Sequence, residues 1–487
     1  MAERYRKLTL LHSNDIHADF MAEGDDEDGL GGISRLSGYV SKVRAEEDNV
    51  LYCIAGDMLQ GSLIDTEYKG ISTIEIMNTV APDVACLGNH EIDYGLGHLL
   101  FLERCAKFPI VCANIFIKNP RTRLFASHKF LKVGGMRIMF IGLITHEVLA
   151  SLRSDQLLST LVDVEEAARE VGRICNAYRN IDVDFTVLLT HIGFEEDKQL
   201  AELLDPDWGV DVIIGGHSHT VLEQPEQVGD ILIATAGHGT TSIGRFDIIV
   251  DTDLNNVESF EWQLVPLEGK DCPRDLQLEG TVARFRATVE EKYDFTLCRF
   301  KRPLTHPERY RESELGNLVA DALREYLALD LMILGSGSIR RPEMGPVMTR
   351  GNLIEMLPFD DRIISLKVSG AQLRRMIAHT CRDEILDGGH GEYYQYSSGL
   401  CSVFNRSDQA FERFDFHGCP LDDDAVLRIG LQEFHYKNFD NFFPLTRTEL
   451  VDGTGRSVAT SCLDVLEEFF ANSFQIDAEV EGRLTVI

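Results

Sequence analysis

The sequence predicts an α/β protein, on three observations. Short aliphatic runs alternate with amphipathic helical patterns, polar residues recur where those runs stop, and the composition is that of a globular chain. Of the 487 residues, 44% are apolar and 26% charged, the ordinary balance for a protein that buries cores. Collagen, coiled-coil and disordered classes are excluded by the same figures. The length suits two or three domains.

The elements follow in order. LTLLHSND (8–15), VLYCIAGD (50–57), DVACLGNH (83–90), IVCANI (110–115), MRIMFIGLI (136–144), DFTVLLTH (184–191), DVIIGGH (211–217) and ILIATAG (231–237) read as buried strands. Each is aliphatic or β-branched and is bounded by turn residues, as expected of strands covered on both faces. Between them, GISRLSGYVSKVRAEE (32–47) and DVEEAAREVGRICNAYRN (163–180) have helical periodicity. Strand–helix alternation places helices on the faces of a sheet. QLEGTVARFRATVEEKY (277–293) reads as a helix within a connecting segment 271–298, which separates a domain over 1–270 from a second over 299–487. The second domain opens with a helix, GNLVADALREYLA (316–328), and a strand, DLMILG (330–335), before a Gly/Ser turn and mixed elements, an α+β pattern. EGDDEDG (23–29) reads as a solvated loop.

Charge and cysteine usage narrow the class. Lys plus Arg is 47 and Asp plus Glu is 79, a net charge of −32. That argues against a nucleic-acid polymer as partner, because counterion release needs clustered cations. It leaves room for a small anionic substrate held by local metal ions or arginines. No run reaches the roughly 18 apolar residues of a membrane span. The start, MAERYRKLTLLHSNDIH, has no apolar core of signal-peptide length and no small-residue cleavage site. The expected location is therefore cytoplasmic, with no membrane partner. The 11 cysteines are odd in number and scattered, so reduced thiols in the core are expected.

The chemistry lies at the ends of the runs. Asp15-Ile16-His17, Gly56-Asp57, Gly88-Asn89-His90-Glu91, His191 and Gly216-His217-Ser218-His219 each close an apolar run. In α/β sheets, ligands bind outside the carboxyl ends of the strands, so these residues should converge. Asp, Asn and His together suit divalent Mn, Zn, Fe, Co or Mg. Asp57, alone between two ligand clusters, is the natural bridge between two ions. The glycines before Asp57, Asn89 and His217 allow close backbone approach. Two ions about 3.5–4 Å apart clamp the attacking and leaving oxygens of a displacement at phosphorus.

Those motifs, DxH, GD, GNHE, a lone His and GHxH in that order, resemble the calcineurin-like metallophosphoesterases. The whole chain is similar to their two-domain 5′-nucleotidase / UDP-sugar hydrolase / 2′,3′-cyclic phosphodiesterase group. The resemblance implies a four-layer metallophosphoesterase β-sandwich flanked by helices, followed by a 5′-nucleotidase-type substrate-binding domain. It implies one metal on Asp15, His17, Asp57 and His219, and a second on Asp57, Asn89, His191 and His217. His90 takes the place of the family's catalytic histidine, and Asp93 in GNHEID that of the carboxylate orienting it. In the second domain it places Arg311 and Arg340 on substrate anions, Tyr394 and Phe434 on either side of a base, and Asp440 on the ribose or its loop. Three positions depart from the pattern: Gly335 stands for an Asn, Asn438-Phe439-Asp440 for a Gly-Gly-Asp loop, and Tyr394 for a Phe.

The implied activity is hydrolysis of a nucleotide phosphoester by in-line attack of a metal-bridging hydroxide. The alternatives on the same site are a 2′,3′-cyclic nucleotide phosphodiesterase and a nucleotide-sugar or dinucleotide pyrophosphatase. A non-catalytic nucleotide sensor is the rival from another class, and retention of His90 with all seven ligand positions argues against it. A cytoplasmic enzyme that freely hydrolysed AMP would drain the cell's pools, so a narrower substrate is expected. GxxxxGK[ST], HExxH and GxSxG are absent, which leaves other hydrolase and kinase classes unsupported.

Overall fold

A computed structural model describes residues 4–22, 29–117, 122–145, 158–160, 163–386 and 391–487. The acidic stretch 23–29, except for its last residue, lies outside the described residues. The chain divides into two compact units, Met1–Val289 and Glu290–Ile487.

The first unit is built on two six-stranded sheets. One runs Asn256–Pro266, Ser242–Asp251, Tyr5–Ser13, Val50–Ala55, Val84–Cys86, Ile110–Val111, with the last four strands parallel. The other runs Glu226–Val228, Ile231–Ala234, Val212–Ile214, Phe185–His191, Met136–Ile144, His128–Val133, with its four central strands parallel. Alternation along the strands decides which face each side chain covers. Leu8, Leu10, Cys53 and Cys86 of one sheet meet Ile138, Phe140, Val187 and Val212 of the other in a shared core. On the outer face of the second sheet, Met139, Ile141, Leu188 and Ile213 take up the apolar stripe of helix Val164–Ala177. Helix Phe194–Leu203 joins that layer through Leu200 and Ala201. Asp163 caps the first of these helices by accepting the Glu166 N–H, worth about 1 kcal/mol.

Strands covered on both faces explain why the runs are continuously apolar. The antiparallel strands Ser242–Asp251, Asn256–Pro266 and His128–Val133, the last two at sheet edges, are partly wet, and their mixed burial leaves little aliphatic run in the sequence. All 11 cysteines are unpaired, and Cys53, Cys86 and Cys112 lie in the core.

Helix Leu276–Tyr293 follows the first unit's last strand, with Leu278, Val282, Val289 and Tyr293 buried along one face. The second unit has a five-stranded sheet in the order Tyr394–Tyr396, Leu331–Gly335, Val426–Gln432, Ile363–Ser369, Asp452–Ala459. Only Leu331–Gly335 and Val426–Gln432 run parallel to each other. Helix Gly370–Thr380 packs one face through Leu373, Met376 and Ile377. Helices Glu314–Tyr326 and Cys462–Ala471 pack the other through Leu315, Val319, Leu466 and Phe470. Leu400–Asn405 and its neighbours form a further four-stranded sheet. Among the described residues, no helix is long and apolar enough to cross a membrane.

Candidate active site

Because the strands bearing the motifs are parallel within each sheet, their carboxyl ends share one edge. There Asp15, His17, Asp57, His191 and His219 come together, with Asn89, His90 and His217 beside them. The His17 and His219 Nε2 atoms are 3.0 Å apart, and His219 Nε2 is 3.4 Å from Asp15 Oδ1. His191 Nε2 stands 3.1 Å from Asp57 Oδ2 and 3.2 Å from Asn89 Oδ1. His217 Nδ1 is 2.9 Å from the same Asn89 oxygen. Asp15 with His17 and His219, and Asp15 with Asp57 and His191, each offer donor atoms within 4.8 Å of one another. Asp57 lies within reach of both groups, as a bridging carboxylate must.

Local backbone supports this convergence at a cost. Asp15, His17, Asp57, His217 and His219 all have positive φ, from 49 to 83°. Such strain, of order 1–3 kcal/mol per residue, persists only where the surroundings impose it and is typical of functional sites. Gly56 is required sterically: a Cβ there would lie 2.6 Å from His191 Nδ1. A Cβ on Gly88 would overlap the Asp57 carboxylate.

The donor set fits cations. The His191 Nδ1–H donates to the Ala55 carbonyl at 2.8 Å, and the His17 Nδ1–H donates to the Gln60 carbonyl at 3.1 Å. Each ring therefore directs its Nε2 inward, able to hold a cation or a proton there. The Nε2 atoms of His17 and His191, the Asn89 oxygen and two buried carboxylates face one another, an arrangement satisfied by positive charge between them. Burial alone would push the Asp15 carboxyl up, but His191 and His219 pull it below the usual carboxylate range. Burial lowers the His191 imidazole, and Asp57 and Asp15 outweigh it, raising the group to about 10.

His90 stands at the margin of the cluster. Its Nδ1 is 2.6 Å from Asp93 Oδ2, and its Nε2 is 3.9 Å from Asp57 Oδ2. Glu91, to which the sequence reading gave no role, ties the strand-end loops together. Its carboxylate accepts the N–H groups of Asp57 (3.0 Å), Met58 (2.8 Å), Leu59 (3.2 Å) and Gly88 (2.5 Å). The signal present in GNHE was a charged residue beside ligand positions; its burial, at 3% exposed, is seen only in the structure. Asn14 similarly donates to Asp15 Oδ2 at 2.7 Å. A cavity of about 1020 Å³ opens at the opposite, N-terminal ends of the second sheet, beside Trp208, Asp211 and Phe260, and none of these site residues lines it.

In the second unit, the carboxyl ends of the parallel strands Leu331–Gly335 and Val426–Gln432 carry the Ser336–Ser338 turn and helix Glu433–Lys437. Arg340 holds its guanidinium over the half-buried Phe359 ring at 5.4 Å. The Glu433 N–H donates to the Arg362 carbonyl at 2.8 Å, which ties the start of that helix to the segment following Phe359. Phe434 is 38% exposed, and Asp440 is exposed on the short helix Phe439–Phe442.

The structure places two of the expected positions away from these residues. Tyr394 is 1% exposed, stacked on Phe443 at 5.3 Å, with its hydroxyl 3.0 Å from His435 Nδ1. The strand is at the sheet edge, yet the ring points into the core, with Phe443 stacked on it and His435 against its hydroxyl end. Arg311 is exposed and paired with Glu308. It is Arg309 that lies against the turn, within 2.6 Å of a Cβ built on Gly337, and it pairs with Glu392. Glu392 in turn accepts the Gly337 N–H at 2.7 Å.

Comparison with known proteins places these features. Residues 8–221 match the calcineurin-like phosphoesterase model, and residues 290–447 match the 5′-nucleotidase C-terminal domain. The chain is 28% identical to snake venom 5′-nucleotidase of Naja atra over 98% of both chains. It is 26% identical to 5′-nucleotidase of Mus musculus over 98% of this chain and 90% of the relative. The crystal structure of a 5′-nucleotidase precursor from Thermus thermophilus superposes with a TM-score of 0.86 at 25% identity, covering 99% of each chain. With a matching model on each unit and relatives that run the length of both, the chain belongs to the calcineurin-like phosphoesterases that carry a 5′-nucleotidase C-terminal domain.

Proposed function

We propose that this chain releases phosphate from a nucleotide, the first unit providing the reaction and the second selecting the substrate. It is a phosphoric-ester hydrolase of the 5′-nucleotidase kind. The carrying observation is the pair of buried carboxylates, Asp15 and Asp57, set among imidazoles next to the His90–Asp93 pair. The cyclic phosphodiesterase and pyrophosphatase alternatives are not favoured, since the relatives above are 5′-nucleotidases.

Asp15, His17, Asp57 and His219 would hold one divalent cation, and Asp57, Asn89, His191 and His217 a second. Mn, Zn, Fe and Co all suit such a mixed oxygen and nitrogen set. When bound, such ions supply Lewis-acid charge at phosphorus and lower the pKa of water. The chain's own groups do the rest. Asp93 accepts the Nδ1–H of His90 and fixes its tautomer. A proton carried on His90 Nε2 then passes to the departing oxygen as general acid. Glu91 keeps the Asp57 and Asn89 loops in register. Arg309 and Arg340 present planar forks to anionic groups. Phe434 and Phe359 present ring faces to a base, and Asp440 accepts from a sugar hydroxyl. Eleven unpaired cysteines support a reducing, cytoplasmic setting.

The test is phosphate release from nucleoside monophosphates after chelation and after reloading with Mn²⁺, Zn²⁺, Co²⁺ or Fe²⁺ separately. Loss on chelation and recovery on reloading are expected. A fully loaded protein that releases no phosphate from any nucleotide would refute the reading.

A further inference from the structure

Glycine at position 335 makes room for a histidine. A Cβ there would overlap His435 Nε2, so any other residue at 335 would displace the imidazole. His435 sits on helix Glu433–Lys437, at the carboxyl end of the strand parallel to the one that ends in Gly335. Its ring is 4% exposed overall. Its Nε2 has no hydrogen-bond partner among the described residues, whereas its Nδ1 does. The exposed Phe434 ring lies edge-on to it, with centroids 5.3 Å apart at 83°. The Arg309–Glu392 pair, which packs on the same turn, is close enough to act on it electrostatically.

The tautomer follows from the partner on the other nitrogen. Tyr394 is buried, and its hydroxyl meets His435 Nδ1 at 3.0 Å. A buried O–H needs an acceptor, and the Nδ1 lone pair is the one at hand. The ring proton therefore sits on Nε2. Burial holds the imidazole neutral, down to about 4, so the ring is a one-proton donor at neutral pH.

We infer that His435 Nε2–H is a specificity-determining donor for the substrate's base, taking a nucleobase carbonyl oxygen or an unprotonated ring nitrogen, an inference that rests on the nucleotide reading above. Tyr394 is then a positioning residue: it reaches no substrate and acts by keeping the proton on Nε2.

The experiment measures kcat and KM for AMP, IMP, UMP and the base-free ribose 5-phosphate. It uses the metal-loaded wild type and the His435→Leu, His435→Gln and Tyr394→Phe variants, each with its melting temperature. His435→Leu should cut the kcat/KM advantage of the nucleotides over ribose 5-phosphate by about tenfold, the worth of one hydrogen bond, chiefly through KM. His435→Gln, which keeps an N–H donor, should recover part of the advantage. Tyr394→Phe, which frees the tautomer but preserves the packing, should lower it in the same direction. An unchanged advantage in a folded His435→Leu protein, or in Tyr394→Phe where His435→Leu fails to fold, overturns the inference alone. Cleavage of p-nitrophenyl phosphate without phosphate release from any nucleotide overturns the nucleotide reading and this inference together.

Discussion

Lowering the pH should destabilise the first unit through a single buried imidazole. His12 lies in the apolar core, stacked on Trp262 at 5.3 Å and 21°, and a Cβ on Gly244 would overlap its ring. Neither ring nitrogen has a hydrogen-bond partner. Burial depresses the group from 6.5 to about 3. The folded state therefore keeps His12 neutral while the unfolded chain takes up a proton. The associated stability is fully present above pH 6.5 and is lost progressively as the pH falls towards 3. Linkage makes the slope approach about 1.4 kcal/mol per pH unit well below pH 6.5, and the loss is about 2.7 kcal/mol between pH 7.5 and 4.5. Both tryptophans, Trp208 and Trp262, belong to the first unit, so urea unfolding followed by tryptophan fluorescence reports that unit. The comparison is between wild type and His12→Leu across pH 4.5–7.5, because the difference in slope isolates this imidazole from other titrating groups. The variant should flatten the dependence by about 0.9 kcal/mol per pH unit averaged over that range, and by about 1.4 at its acid end. Parallel curves would show that His12 is hydrated or partnered, and would refute the reasoning.

Glu91→Gln turns an amide group towards N–H donors and disrupts up to two of the four bonds that tie the Asp57 and Asn89 loops. At about 1.5–3 kcal/mol per charged hydrogen bond, urea titration should show a large loss of stability. Elemental analysis should show reduced metal retention, and a variant matching wild type in both would contradict the role assigned here. His90→Asn should lower kcat by about 10²–10⁴ with metal content preserved. Asp93→Asn should move the alkaline limb of the pH–rate profile to lower pH, since His90 acts as a general acid and the carboxylate on Nδ1 favours its protonated form; a loss of bound metal in either variant would instead assign these residues to the metal site.

Much of the first unit was legible before folding. Parallel strands covered on both sides are written as unbroken aliphatic runs, and their carboxyl ends carry DxH, GD, GNHE and GHxH. Helices such as Val164–Ala177 announced themselves by period and by the capping Asp163. The antiparallel edges were not legible, because half-wet strands alternate weakly and resemble loops. In the second unit the motif spacing left two places undecided. Arg309 and Arg311 lie two residues apart, and spacing could not say which one meets the turn. Tyr394 and Phe359 are both aromatic, and only burial separates a core ring from an available one.

The sequence by itself determined which residue types stand at which strand ends, and hence a chemistry of carboxylates, imidazoles and an amide suited to divalent cations. Only the tertiary structure decided which atoms meet: that Asp57 lies between two donor groups, that Glu91 binds two loops, and that His435 enters the space a glycine leaves. The reason is physical. Residue type is local, but burial, tautomer and contact depend on chain segments brought together from tens to hundreds of residues away.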